Sequence, residues 1–445
     1  MRVIVVGAGA VGSNIAESLA ADHDVVVVDR DGDRVESLAD GLGVRAVEGD
    51  GASLETLEEA GVADADMVIA STDRDETNIV VCGSVKTAGD PFTVARVKRT
   101  HFLRTWEESK AAFDVDFMVC TSLLTAEAIV RIAGLPGTRD VDTFADGLVY
   151  VADFEVGPDS PIAGQTVAEA DRFESLTFAA IVRGDEVVVP SGESTIDPGD
   201  DVVVIGSREH VRAFATDLSP APTLEEVNEI VVVGGSEIGY QVAHEFEVEG
   251  FSPRLVERDP DRARELAERL PGTLVLASDE TDVDFLVREH VDESDFVVAA
   301  LEGDERNLLV SLLAKRIGVD RTVAVVETGA YVDLFETVGV DVAINPRMTA
   351  AEEIIRFTHS TRTENVHVLE DDRAEVLELE VDKGSPLAGG RLRDVMERFP
   401  EGVVVGAIVR DGEFLTPRGE TAVEPGDHVI VFVATTVLDE VAAAI

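Results

Sequence analysis

Residues 1–31 read MRVIVVGAGAVGSNIAESLAADHDVVVVDRD, and their order decides the fold. An apolar run, residues 2–6, stops at glycine. Gly7, Gly9 and Gly12 follow in the spacing G-x-G-x-x-G. Val11, Ile15 and Leu19 then recur at helical spacing, and a second apolar run, residues 25–28, ends at Asp29. This is strand, glycine turn, helix, strand, acid. Each part has a use if a dinucleotide lies there. Gly7 permits the tight turn. Gly9 presents no Cβ to an approaching pyrophosphate, and Gly12 lets the helix pack closely on the strand. The helix N-terminus offers free N–H groups and the positive end of its dipole. Asp29, 22 residues after Gly7, can accept hydrogen bonds from ribose hydroxyls. An acid there favours a free 2′-hydroxyl, hence NAD(H) or an adenine nucleotide over NADP(H).

The same alternation continues outward. Strands are expected at 44–47, 67–70, 93–97 and 115–119, with helices around Val35, Leu57 and Asn78. Strands alternating with helices form an α/β, doubly wound parallel sheet of the Rossmann type. Ligands bind such sheets at the carboxyl ends of the strands. The loop Gly9, Ala10, Val11, together with Asp29-Arg30, Asp50, Thr72-Asp73, Asn78 and Arg96, is therefore expected around one crevice.

Near Gly134 the pattern changes to short β-rich pieces at 149–154, 178–182, 186–189 and 201–205, separated by turn residues. This is a small α+β domain. A linker, Ser219-Pro220-Ala221-Pro222, follows, and the chain then begins again. Residues 230–233 precede Gly234-Gly235-Ser236-Glu237-Ile238-Gly239, and Glu257 and Asp279 stand where Asp29 and Asp50 stood. Ser160-Pro161 is echoed by Ser385-Pro386, and Asp197-Pro198-Gly199-Asp200 by Glu424-Pro425-Gly426-Asp427. Gly7 and Gly234, Arg183 and Arg410, and Gly199 and Gly426 are each 227 residues apart. The chain is a tandem duplication of a two-domain unit. The expected domains are 1–136 and 226–362 for nucleotide binding, and 138–218 and 364–445 for the small domains.

The copies are unequal. Ser236 replaces the middle glycine and would crowd a pyrophosphate, Leu301 replaces Thr72, and Val325 stands where Arg96 stands. The second crevice, with Gly234, Gly239, Glu257 and Asp279, is either structural or binds more weakly.

Composition narrows the function. At 445 residues with 45% hydrophobic content the chain buries several cores. No apolar stretch is long enough to span a bilayer, and the N-terminus does not read as a signal peptide, so a cytoplasmic location is expected. The net charge is −52, from 89 acidic and 37 basic residues. Such a coat repels itself at ordinary salt, whereas at about 1 M the Debye length falls to about 3 Å. A salt-rich cytoplasm, as in halophiles, is the expectation, and nucleic acid is not an expected partner. Cys82 and Cys120 lie in apolar segments and read as core thiols. The eight histidines are scattered, with no ligand spacing and no Ser/His/Asp or Walker A arrangement. No catalytic residue and no metal site is expected, and a nucleotide crevice without catalytic groups points to sensing.

The motifs GAGAVG at 7–12, EGDGAS at 48–53, ASTDRDETNIV at 70–80 and VARV at 94–97 resemble those of one family. In the second half GGSEIG, LLAKRIG at 312–318, AYVDL at 330–334 and EPGDHVIVF at 424–432 do the same. The chain is similar throughout its length to the TrkA family, regulatory subunits of Trk-type potassium uptake systems built from two RCK units. The resemblance implies a cytoplasmic gating assembly, a homotetramer, at the inner face of the cell membrane. It would dock beneath a potassium transporter and respond to NAD(H) or ATP/ADP. Related Ktr-type members carry a Pro-Glu acid at a cation site. Thr121-Ser122 and Pro346-Arg347 stand in those regions here, which argues against that site. The alternatives are an NAD-dependent oxidoreductase, or a regulatory subunit of a cation–proton antiporter or potassium channel.

Overall fold

A computed structural model describes residues 1–21, 23–109, 112–135, 137–145, 147–184, 186–218, 229–359, 365–368, 374–382, 384–400, 402–438 and 441. The linker expected at 219–222 and the domain limits at 136, 226, 362, 364 and 445 lie outside these residues. The chain forms two compact units. One comprises Met1–Ile129 with Glu229–Ile355, the other Val130–Asn228 with Arg356–Ile445. Like domains associate with like, although the sequence alternates them.

The first unit holds two parallel six-stranded sheets. The strands Arg2–Val6, Asp24–Asp29, Arg45–Glu48, Met67–Ala70, Phe92–Val97 and Phe117–Cys120 lie in the order 3-2-1-4-5-6 counted along the chain. The strands Ile230–Val233, Arg254–Glu257, Leu274–Ala277, Phe296–Ala299, Arg321–Val325 and Val342–Ile344 repeat that order. The near-continuous Val, Ile and Ala of the inner strands follow from burial on both faces, whereas the edge strands Arg45–Glu48 and Leu274–Ala277 are partly exposed. Val6 pairs with both Val28 and Ala70, so the carboxyl ends of three adjacent strands lie level beneath the glycine loop. The sixth strand begins two residues later than the sequence predicts. Asp116 intervenes: its carboxylate accepts hydrogen bonds from the Thr93 N–H (2.7 Å) and hydroxyl (2.9 Å), and the strand starts beyond it. Val115 is nevertheless buried. Cys82 and Cys120 are free and buried, and burial pushes the Cys82 thiol up to about 12. The two nucleotide-type domains meet at Thr100. Its hydroxyl donates to Glu237 Oε1 (3.2 Å) and accepts from Gln241 Nε2 (2.5 Å). Among the described residues, no helix is long and apolar enough to cross a membrane.

The second unit holds two five-stranded, largely antiparallel sheets. In the first, strands Val149–Glu155, Leu176–Arg183, Glu186–Val188 and Asp201–Ser207 fall where the sequence places them. A further strand, Thr138–Phe144, joins their edge beside Val149–Glu155. A core shared by both halves includes Phe144, Ile205, Ile430 and Phe432. The repeated turn motif has a structural cause. Arg183 grips Asp200 with two bonds of 2.7 Å, and Arg410 grips Asp427 with two of 2.7 Å. Each aspartate is almost fully buried and also accepts a backbone N–H, from Asp197 and Glu424 respectively.

The Arg183 hydrogen bonds, opposed by burial, hold the Asp200 carboxyl below the usual range. For Asp427 burial raises the value, and the Arg410 bonds with the Glu424 N–H outweigh it. A carboxylate with a lowered folded value stabilises the fold above its unfolded pKa of about 3.9, and that contribution fades as pH falls below it. Thermal unfolding of an Asp200→Asn, Asp427→Asn variant should start lower at neutral pH and fall less steeply below about pH 4 than the wild type. Parallel curves across that range would mean the pairs contribute nothing to the acid branch.

Candidate functional site

The strand Arg2–Val6 and helix Ala10–Ala20 turn about Gly7, at φ +110°. This left-handed region suits glycine, and a Cβ there would approach Thr72 N to 2.9 Å. A Cβ on Gly12 would lie 1.7 Å from the Gly7 carbonyl oxygen, so only glycine lets the helix sit so close to the turn. Gly9 differs. Its nearest atom would be an Arg34 nitrogen at 4.0 Å, so the space above Gly9 is open. Gly9 is also the helix N-cap and supplies no side-chain hydrogen bond. First-turn N–H groups of a helix have no intrahelical acceptor and suit an anion.

This turn borders a cavity of about 510 Å³. Of the residues singled out from sequence, Gly7, Gly9, Ala10, Val11, Asp29, Thr72, Asp73 and Arg96 line it. Asp29 accepts the Ala8 N–H (2.6 Å) and the Asp31 N–H (2.9 Å), which fixes its carboxylate at the second strand's end. Arg96 is 2% exposed. Its Nη2 donates to the Thr72 carbonyl (3.0 Å) and lies 3.5 Å from Asp73 Oδ1, while its Nε is buried without a hydrogen-bond partner among the described residues. Burial draws the Arg96 value down against the pull of Asp73.

Other expected residues have different places. Gly12 packs behind the loop. Arg30 and Asp50 do not line the cavity; they pair with each other at 2.5 Å, and Asp50 accepts the Ala52 N–H. That N–H and then Arg30 keep the Asp50 carboxyl low. Asn78 is fully buried and ties strand ends together, accepting from Thr72 N and donating to the Thr72 and Arg96 carbonyls. It supports the cavity from behind.

Five cavity residues escaped the sequence reading: Ala8, Ser13, Arg34, Ser71 and Arg347. Ala8 and Ser13 lie within the glycine-turn stretch and Ser71 at a strand end, so nearness to the motif was a usable signal. Arg34 pairs with Asp31 at 3.3 Å and follows the acid by one helical turn. Arg347 has no local signal, because it comes from the second half of the chain.

In that second half the loop satisfies itself. Gly234 has φ +109°, and a Cβ on Gly239 would lie 2.0 Å from the Gly234 oxygen, so this turn is packed as in the first half. Ser236, however, caps its own helix: its Oγ accepts the Gly239 N–H (3.1 Å) and donates to the Ala300 carbonyl (2.7 Å). Glu257 takes the Gly235 N–H (2.8 Å) just as Asp29 takes that of Ala8, so this bond is common to both halves, and Arg262 donates to the Gly235 carbonyl (3.0 Å). Asp279 is exposed and closes a local turn, accepting the Thr281 N–H (2.9 Å) and hydroxyl (2.7 Å). Asn307 repeats the role of Asn78, joining Leu301 to Val325.

Fold and crevice together define a class: a duplicated Rossmann-type protein in which, among the described residues, the first glycine turn opens onto a cavity and the second is capped by Ser236. Residues 3–116 and 230–346 match the TrkA-N domain, and 151–219 and 376–445 match the TrkA-C domain. The chain belongs to the TrkA family. It is 32% identical over 449 residues to the Trk system potassium uptake protein TrkA homolog 1 of Methanosarcina mazei, covering 99% of each chain. It is 32% identical to the TrkA of Halomonas elongata, covering 97% of this chain and 96% of that one. Among solved structures, the GsuK channel bound to NAD shares the fold, with a TM-score of 0.61 at 18% identity, over 100% of this chain and 79% of that one.

Proposed function

We propose that this chain is the nucleotide-sensing regulatory subunit of a Trk-type potassium uptake system. NAD(H) or an adenine nucleotide binds in the first-half crevice and sets the activity of a membrane-embedded transporter subunit. The observation that carries this reading is the crevice itself. An uncapped helix N-terminus borders a cavity whose lining includes the Asp29 carboxylate, suited to a ribose, and the buried Arg96. Family membership adds the potassium uptake system, because the relatives are named for it. The chain works without catalysis, as a homotetramer at the inner face of the membrane.

A sensor shifts an equilibrium only if its ligand binds two conformations unequally. Arg96 is the residue placed to read the ligand's phosphates, and its loss should narrow the difference between ATP and ADP. The test is calorimetric titration of the full chain in molar KCl with NADH, ATP and ADP. One site per chain is expected, with no oxidation of NADH during the titration. Asp29→Ala should weaken each ligand by about 1–3 kcal/mol, the value of charge-assisted hydrogen bonds. Unchanged affinity would remove Asp29 from the site, and NADH turnover would make the chain an oxidoreductase instead. Nucleotide control of potassium flux in vesicles holding chain and transporter tests the regulatory step.

A further inference from the structure

We infer that Arg347, supplied by the second half of the chain, binds the terminal phosphate of a nucleotide held in the first half's crevice. It thereby separates ligands that end in a free phosphate from those that do not. The inference rests on the nucleotide reading above and adds a residue that the glycine motif does not contain.

Arg347 lies 335 residues beyond Gly12 in the chain, yet lines the same cavity. The start of helix Pro346–His359 holds it there. The Asn345 side-chain oxygen accepts the Arg347 N–H (2.9 Å) and the Met348 N–H (3.0 Å), which fixes the first turn. The guanidinium itself is loosely held. Nη1 donates to the Glu327 carbonyl at 3.3 Å, and Nη2 stands 3.7 Å from the Glu327 carboxylate. Its side chain is 37% exposed, so it has donors to give.

Arg96 makes the independent second observation. It is almost fully buried in the same wall, and its Nε has no hydrogen-bond partner among the described residues. Arg347 is near enough that its charge works against that of Arg96. Three guanidiniums border the cavity in a chain of net charge −52. Arg34 stands by Gly9 and pairs with Asp31, while Arg96 and Arg347 oppose each other, with Asp73 and Glu327 offsetting part of their charge. Like charges so placed repel, and an anion between them turns that cost into attraction. A terminal phosphate monoester, with a charge near −2 and three acceptor oxygens, suits such a pair. The phosphates of NAD are singly charged diesters and suit it less.

The duplication makes the assignment one-sided. Arg96 pairs with Val119 across the first sheet, and Val325, its counterpart, pairs with Ile344 across the second. By that register Ser122 is the counterpart of Arg347. Ser122 donates to the Lys98 carbonyl, as Arg347 does to that of Glu327, but it is too short to reach further. A phosphate held by Arg96 and Arg347 together therefore ties the two nucleotide-type domains to each other, and NAD ties them less.

The experiment uses the full chain in molar KCl, titrated with ADP, ATP and NADH. Arg347→Gln should weaken ADP and ATP by about tenfold, the loss of one charge-assisted phosphate contact. NADH should change by less than about twofold, because its phosphate contacts lie at the loop. Arg347→Lys keeps the charge and should recover part of the loss. Unchanged ADP and ATP affinity in both variants would overturn the role of Arg347 while wild-type binding still upholds the crevice. Equal weakening of all three ligands would also overturn it, by giving Arg347 a structural role. A wild-type chain that binds none of them would overturn the nucleotide reading and this inference with it.

Discussion

Gly12→Ala should cost the first nucleotide-type domain more than about 3 kcal/mol, beyond the usual range for overpacking. Its new Cβ would meet the Gly7 carbonyl oxygen at 1.7 Å and Ser71 Oγ at 3.0 Å. The first contact is backbone against backbone, so no side chain can swing aside. The helix must move off the strand, and the turn that lines the cavity moves with it. Gly9→Ala should do the opposite. Its backbone sits at φ −77°, which alanine adopts freely, and its Cβ would stand 4.0 Å from the nearest atom. Its stability should change by less than about 1 kcal/mol, yet nucleotide binding should be lost because the methyl group occupies the pyrophosphate's path. Thermal unfolding and titration of both variants separate the effects. A Gly9→Ala chain that binds as the wild type would mean that no phosphate passes over this loop.

Dilution of salt should have the second large effect. With 89 acids against 37 bases, the folded chain gathers like charge that the unfolded chain spreads out. Helix Gly32–Leu42 carries exposed Asp33, Glu36 and Asp40, and helix Leu54–Ala60 carries exposed Glu55, Glu58 and Glu59. Between about 0.1 M and 3 M KCl the Debye length falls from about 10 Å to below 3 Å. The unfolding temperature should climb through that range, by about 2–4 °C for each kcal/mol of repulsion screened. Replacing Glu36, Asp40, Glu55, Glu58 and Glu59 with their amides should flatten the climb. A curve flat from low to high KCl would show that the acidic coat has no salt requirement.

Much of this architecture was legible because its signals are local. Apolar runs marked the six strands of the first parallel sheet and Ile230–Val233 in the second, and the glycine spacing marked the turn. The strand Thr138–Phe144 was not legible. Its buried face includes Thr138 and Asp142, which find partners in the Asp153 carbonyl and Arg356, so its polarity hides its place. Arg30 and Asp50 stand at strand ends, as cavity residues do, but their opposite charges meet each other first. Arg347 depends on two sheets coming together, which no local pattern encodes. The association of like domains has the same origin: linear order places each sheet next to a small domain, whereas folding joins the two sheets in one unit.

Asn78 and Asn307 make the same three hydrogen bonds, while the residues they bind differ: Thr72 and Arg96 in one half, Leu301 and Val325 in the other. Two identical subunits drawn from a single-length gene could not differ in this way, because every substitution would appear in both. Fusion of the copies into one polypeptide lifts that restriction. One half is free to keep an open receptor, and the other to become its wall and lever, with the asparagine brace retained in both because each sheet needs it whatever it binds. On the reading proposed above, such a chain would count one signal where a symmetric pair would count two, and a single occupancy per polypeptide would set its response to nucleotide concentration.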